Sequence, residues 1–335
     1  MQIHYRQLMK YKWKVHVILI ILGSLVFSCS TSDNNWYFKE GGTLLWIDGR
    51  HQDKAIKSAI QQTLEHSSII VAQISWSPND TSFVKNTAWY SSLAKDHGKS
   101  FMIAIDWQEV DRTGAKGSWS FKDAKTAALY KKDMLGLIET YDPDFINLGV
   151  EANYYALTSS EGFKAFAPLY RTLKKEIEGL NPKVKVGLSY QLELLYGHHA
   201  GWNESQTLVT LDNLLGDLDF LGISTYPNMV SKKKQSDVLF STNYLDSISQ
   251  AYTLPMGISE TAVSSRLYDP DQREAYVNSI FEKANNLDFK FVIWGSMIDA
   301  VQDDSWANKI GLLDKEGLPK KEFDIWKNEN KNLFK

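Results

Sequence analysis

The chain has 335 residues, of which 43% are hydrophobic and 23% charged, with a net charge of −3. That length supports a sizeable core in one large domain or two small ones, and the balance is that of an ordinary globular protein. The small negative charge leaves no basic footprint for nucleic acid, and a single cysteine excludes an intramolecular disulfide.

The first segment is not read as part of the fold. Arg6, Lys10, Lys12 and Lys14 form a positive lead, and Val15 to Phe27 is an apolar stretch too short for a comfortable membrane span. The stretch ends at Val26-Phe27-Ser28-Cys29. This resembles a bacterial lipoprotein signal. The resemblance implies that residues 1–28 are removed and that Cys29 is lipidated as the new N-terminus. The folded part would then be anchored to a membrane outside the cytoplasm, at the outer membrane or cell surface. Residues 29–40 read as the lipidated cysteine and a polar tether, and 41–335 as the folded domain.

Strand-like and helix-like segments then alternate. Leu44 to Asp48 reads as a first strand and Asp53 to Glu65 as a helix; Ile69 to Ser75 is a second strand, Phe83 to Asp96 a helix and Lys99 to Asp106 a third strand. Phe121 to Tyr141 has apolar residues at helical spacing, and a fourth strand is expected over Phe145 to Glu151. Gly162 to Gly179 is a helix closed by Gly179, with Pro182 beyond it. Val184 to Tyr190, Asp219 to Tyr226, Leu254 to Glu260 and Phe289 to Gly295 supply strands five to eight. Helices are expected around Thr207 to Leu215, Thr242 to Ala251, Pro270 to Asn286 and Glu322 to Leu333. Eight such repeats predict a single α/β domain, a (β/α)8 TIM barrel. A doubly wound open sheet would more often carry a Gly-rich phosphate turn after its first strand, and Gly49-Arg50-His51 is not one. No exposed heptad suggests an obligate partner, so a monomer is expected.

Two glutamates close two of these apolar runs: Phe145-Ile146-Asn147-Leu148-Gly149-Val150-Glu151 and Leu254-Pro255-Met256-Gly257-Ile258-Ser259-Glu260. A parallel barrel places its chemistry where strands end. Two carboxylates about 5–5.5 Å apart at a barrel mouth suit retaining cleavage of a glycosidic bond. Glu151 would act as acid/base, its pKa raised by the neighbouring charge, and Glu260 as nucleophile. By strand-end position, Trp46 with Asp48, Trp76 with Ser75, Asp106 with Trp107, and Tyr190 with Gln191 are candidate substrate contacts.

Here the chain resembles glycoside hydrolase clan A, on Leu148-Gly149-Val150-Glu151-Ala152-Asn153, Phe220-Leu221-Gly222-Ile223-Ser224-Thr225-Tyr226-Pro227, Gly257-Ile258-Ser259-Glu260-Thr261-Ala262 and Val292-Ile293-Trp294-Gly295. The pattern is nearest to its endo-β-mannanase and endo-β-1,4-galactanase families. The resemblance implies a retaining barrel hydrolase of β-linked glycans that needs no cofactor. It implies Glu151 as acid/base and Glu260 as nucleophile, Tyr226 as hydrogen-bond partner of the nucleophile, and Trp294 as floor of the sugar subsite. One position departs: most members carry Asn before the acid/base, and here Val150 stands there. Asn153 or Tyr190 is the expected substitute for the lost 2-hydroxyl contact.

Other chemistries find little support. His198-His199 are adjacent and point apart on regular structure, so no metal site is expected. No Gly-x-Ser-x-Gly occurs for a serine nucleophile. Asp299, Asp303 and Asp304 read as a solvated acidic loop, and Lys232-Lys233-Lys234 as another exposed loop. A glycan-binding protein on an inactive barrel is the competing reading, motivated by Val150.

Overall fold

The computed structural model describes residues 39–333, leaving out 48, 79, 110, 111, 113, 116–118, 203–206, 208, 209, 212, 231–234, 303 and 304. The signal segment, Cys29 and nearly all of the tether, together with Asp48, Asp303, Asp304 and the lysine run, lie outside the described residues.

Short apolar segments form the strands: β1 Glu40–Leu44, β2 Ile69–Ser75, β3 Ser100–Asp106, β4 Phe145–Asn147, β5 Lys185–Gln191, β6 Phe220–Thr225, β7 Met256–Thr261 and β8 Phe291–Trp294. They pair in parallel, each with its chain neighbours and β1 with β8, into a closed barrel. Helices follow the strands on the outside: α1 Asp53–His66, α2 Ser82–Asp96, α3 Ala124–Tyr141, α4 Ala152–Thr158, α5 Ser160–Leu180, α6 Leu192–Leu195, α7 Asn243–Ala251, α8 Pro270–Asn286 and α9 Lys321–Leu333. This is the expected (β/α)8 architecture. Local chemistry fixes several helix starts. Asp123 accepts from the backbone of Lys125 and Thr126 ahead of α3, and Asp269 forms a capping box with Gln272 ahead of α8.

Two strands depart from the expectation by four residues, the others by at most two. β1 lies earlier, because Gly41-Gly42, which reads as a break, is paired to β2 and β8. β4 ends at Asn147, so Glu151 stands on the loop beyond it. Gly149 lies between them, and a Cβ there would sit 2.3 Å from the Trp107 ring, closer than any real side chain tolerates. The helix expected over 207–215 lies partly outside the described residues, and a 3-10 turn at Leu215–Asp217 leads into β6.

The barrel interior is filled in layers from alternate strands. Phe145, Phe220 and Phe291 come from β4, β6 and β8, with centroids 6.4 and 5.5 Å apart along the row. The intervening strands make room with Gly187 and Gly257, where a Cβ would lie 2.6 Å from the Phe220 and Phe291 rings. That apolar plug closes the barrel below the site.

Candidate active site

Paired residues on neighbouring parallel strands point to the same side, and successive residues alternate. This rule sorts the strand-end candidates. The row that includes Phe145, Phe220 and Phe291 faces the axis; two and four residues further along β6 lie Gly222 and Ser224. At the mouth, a cavity of about 420 Å3 is lined by Trp46, Ser75, Asp106, Arg112, Glu151, Tyr226, Glu260 and Trp306, among others. It falls in the size range of small-molecule sites.

Both glutamates reach this cavity, by different local devices. Glu151 is almost fully buried and holds a left-handed backbone, φ 49 and ψ 47, rare for a non-glycine residue. Its surroundings hold it there. Its N–H donates to Ser189 Oγ at 3.1 Å, and Gln108 Nε2 donates to the carbonyls of Val150 and Glu151 at 2.9 and 3.0 Å. Glu260 is turned inward by a bulge. Ile223 pairs with Ile258 but Ser224 pairs with Glu260, so Ser259 is the extra residue and Glu260 shares the inward direction of Ser224.

The carboxyl groups are met by fixed donors. Ser224 Oγ donates to Glu151 Oε1 at 2.6 Å, and Arg112 Nε lies 2.9 Å from Oε2. Arg112 also donates from Nη1 to Asp106, at 2.7 and 2.9 Å to its two oxygens. The Tyr226 hydroxyl donates to Glu260 Oε1. Burial raises the Glu260 pKa, and the charge of Glu151 adds to the rise while the Tyr226 bond opposes it. Burial also raises that of Glu151, against the Arg112 charge and the Ser224 bond. Burial works against the Arg112 cation, but Asp106, Glu151 and Glu260 overcome this and its pKa rises.

The remaining candidates divide by strand phase. Trp46 and Asp106 line the cavity, as does Tyr226. Trp294 does not: its row faces the helices, where paired Thr43 meets Thr63 of α1. Its Nε1 donates to the Ile310 carbonyl at 3.0 Å and its ring edges Tyr276 of α8. The expected sugar floor is therefore core, and Trp306 on the 3-10 turn Trp306–Lys309 lines the cavity instead, 5.9 Å from the Tyr226 ring. Trp76 and Trp107 follow the inward Ser75 and Asp106 and so point outward. Trp76 donates to Asp133 of α3 at 2.9 Å, and Trp107 packs edgewise on Phe121 and Phe166. Neither touches the cavity.

Tyr190 is likewise outward and fully buried, its hydroxyl donating to the Thr210 carbonyl at 3.3 Å. Asn153 is buried as a clamp, exchanging hydrogen bonds of 2.9 Å with the backbone of Gln191 and donating to Thr207. Neither stands in for the missing asparagine. Gln191 approaches the site only through Met229, whose sulfur accepts from its Nε2 at 2.8 Å while the methionine lines the cavity. His198 and His199 are taken by Tyr244 and Tyr154, at 2.7 and 2.5 Å.

The sequence reasoning missed Arg112, Ser224 and Trp306. Ser224 carried a signal, being two residues before Tyr226 on a strand that reaches the mouth. Arg112 and Trp306 lie on irregular segments with no period to read.

No protein-family model matches the chain. No curated protein matches it either. Solved structures do resemble it in fold. A GH5_18 protein from Bifidobacterium longum subsp. longum, solved with Manβ1-4GlcNAc, superposes with a TM-score of 0.68 at 12% identity, over 88% of this chain and 78% of that one. The exo-β-1,4-mannosidase Op5Man5 from Opitutaceae bacterium strain TAV5 gives 0.64 at 14% identity, over 89% and 60%. A family 39 glycoside hydrolase from Bacteroides cellulosilyticus WH2 gives 0.59 at 13%, over 88% and 63%. At such identities the likeness establishes the fold alone, a closed (β/α)8 barrel.

Proposed function

We propose that the protein is a retaining glycoside hydrolase acting on β-linked glycans, with Glu151 as acid/base and Glu260 as nucleophile. The observation that carries this reading is the pair itself: two buried carboxyls converge on one cavity at the mouth of a parallel barrel, one with a phenol donor and one with a cation. In the first step Glu260 attacks the anomeric carbon while Glu151 gives its proton to the departing glycosidic oxygen. The C–O bond breaks and an ester to Glu260 forms. In the second step Glu151 takes a proton from water, the hydroxide oxygen bonds the anomeric carbon, and Glu260 leaves. Two inversions give net retention.

The donors suit these roles. The Tyr226 hydroxyl steadies the Glu260 carboxylate before attack. Arg112 Nε can only donate, so it favours ionised Glu151, the form that serves as base in the second step. A proton on Glu151 would sit on Oε1, where the Ser224 hydroxyl can turn to accept, or would require Arg112 to withdraw. Trp46 and Trp306 offer ring faces to the apolar faces of sugars.

β-Mannosides are the first substrates to test, because two of the structural neighbours are a β-1,4-mannosidase and a protein with bound Manβ1-4GlcNAc. β-Galactan, β-glucan and xylan complete the panel. Release of reducing ends by the soluble 30–335 segment, lost in Glu260→Ala, supports the reading. NMR of the first product anomer tests retention. The contact of Arg112 with the acid/base favours one second reading, a glycan-binding protein without turnover, and glycan binding with no release would select it. We also propose that Cys29 carries a lipid that holds the barrel on the cell envelope. Loss of palmitate labelling in Cys29→Ser tests this.

A further inference from the structure

Glu193 is a buried carboxyl that the reaction above does not use. It lies on α6, directly beyond the end of β5, and is 2% exposed. No cation appears among the main influences on it, and burial raises its pKa to about 7. Among the described residues Tyr154 and Tyr276 feel its charge, and Ser241 lies against the same carboxyl. A carboxyl so placed costs stability, since its charged form is desolvated with no ion pair among the described residues.

Its contacts lead to the nucleophile. Glu193 Oε1 accepts from Thr225 Oγ1 at 2.7 Å and from the Tyr226 backbone N–H at 3.0 Å. These are the residues where β6 ends and the chain turns into Pro227–Met229. β6 ends at Thr225, so the Tyr226 N–H lies beyond the ladder and is met by the Glu193 side chain instead of a strand. The Tyr226 hydroxyl then donates to Glu260. A second route runs through the Thr225 carbonyl, which accepts from Thr261 Oγ1 at 2.8 Å, beside Glu260 in sequence.

We propose that Glu193 is a positioning residue for the nucleophile: its carboxyl pins the Thr225–Tyr226 turn, and that turn sets the phenol that donates to Glu260. The assignment rests on Glu260 being the nucleophile, but its first test does not need turnover. A phenol that donates to the ionised carboxyl lowers its pKa, so loosening the turn raises it.

The experiment is a 13C NMR titration of the Glu260 carboxyl, assigned with Glu260→Gln, in the wild type and in Glu193→Leu and Glu193→Gln. Glu193→Leu is expected to move the Glu260 titration up by about one pH unit, the size of one lost charge-assisted bond. Glu193→Gln keeps an acceptor oxygen and is expected to recover most of that shift. In a Tyr226→Phe background Glu193→Leu is expected to add little, because the phenol is gone and only the route through the Thr225 carbonyl to Thr261 remains. On any glycan the wild type cleaves, kcat falls about tenfold to a hundredfold in Glu193→Leu with KM little changed. An unchanged Glu260 titration in folded Glu193→Leu, or a full shift in the Tyr226→Phe background, overturns the proposal. Where Glu193→Leu does not fold, Thr225→Val removes one donor into the carboxyl: a smaller upward shift supports the role and no shift overturns it. If the wild type cleaves no glycan, the hydrolase reading fails while the titration still decides the role of Glu193.

Discussion

Asp106 and Trp107 are neighbours in the chain and opposites in the fold. Asp106 ends β3 facing the barrel axis and pairs with Arg112 in the cavity; Trp107 turns the other way into a wall of Phe121, Tyr130 and Phe166. The same split separates Ser75 from Trp76, and strand phase places Tyr190 outside with Trp294. Large aromatic residues at strand ends are here mostly the mortar between barrel and helices. The tryptophans that reach the cavity, Trp46 and Trp306, stand beyond the ends of β1 and β8, on a loop and a 3-10 turn, while Tyr226 reaches it directly after β6. Phase, more than residue type, decides which strand-end side chain can meet a sugar.

The inner row is where loss of chemistry should be greatest. Glu260→Ala is expected to lower kcat by about 10^4-fold or more, with the melting temperature kept or raised, because a desolvated buried carboxyl is removed. The outer row should behave in reverse. Trp76→Ala is expected to cost about 3–5 kcal/mol of stability by emptying a packed site and leaving Asp133 without its donor. KM of the folded fraction should stay within about twofold, since the ring lies outside the cavity. Urea unfolding beside steady-state kinetics separates the two. A large KM change in Trp76→Ala with stability intact would erase the contrast between the rows.

Glu193 tests whether the inner network is held at the expense of stability. Its folded pKa, about 7, lies above its ordinary value of 4.5. Between these values the folded protein keeps a proton that the unfolded chain has released, so stability is full below about pH 4.5 and falls as pH rises to about 7. The loss is about 3 kcal/mol if this carboxyl acts alone. Glu193→Gln cannot titrate and is expected to flatten that stretch of the stability curve. Denaturant midpoints at pH 4.5, 5.5 and 7 measure it, and parallel slopes for wild type and variant would deny the effect.

Much of this was legible beforehand. The alternation of apolar and amphipathic runs carries the barrel, and the two glutamates stand out as carboxylates closing apolar segments. Tyr226 follows from strand six in the same way. Trp76, Trp107, Tyr190 and Trp294 miss the cavity, unlike Trp46 and Tyr226, because ending a strand does not decide which side a residue faces. Phase could have been counted back from Asp106 for Trp107, and from Ser75 for Trp76. Glu260 would mislead such a count, since the bulge at Ser259 shifts its phase and no local residue type announces a bulge. Gly149 reads as flexible, yet it is a close approach to a ring that lies 42 residues earlier in sequence. Arg112 and Trp306 depend on tertiary placement of irregular chain, which no period encodes.

The smallest expected effect is also the closest test of the comparison. Trp294 was the expected sugar floor and Trp306 holds a wall of the cavity, so the two tryptophans can be set against each other in one assay. Trp306→Ala removes a cavity face while leaving both carboxyls and their donors in place, and it is expected to raise KM about tenfold with kcat changed much less. Trp294→Phe leaves the cavity lining whole but removes the bond to the Ile310 carbonyl. It is expected to lower stability by about 1–2 kcal/mol with KM unchanged. Calorimetry of ligand binding to the inactive Glu260→Ala protein reads affinity apart from turnover. If affinity follows Trp294 and ignores Trp306, the ring that recognises the sugar lies on the strand after all, and the outward phase of β8 does not hold in the complex.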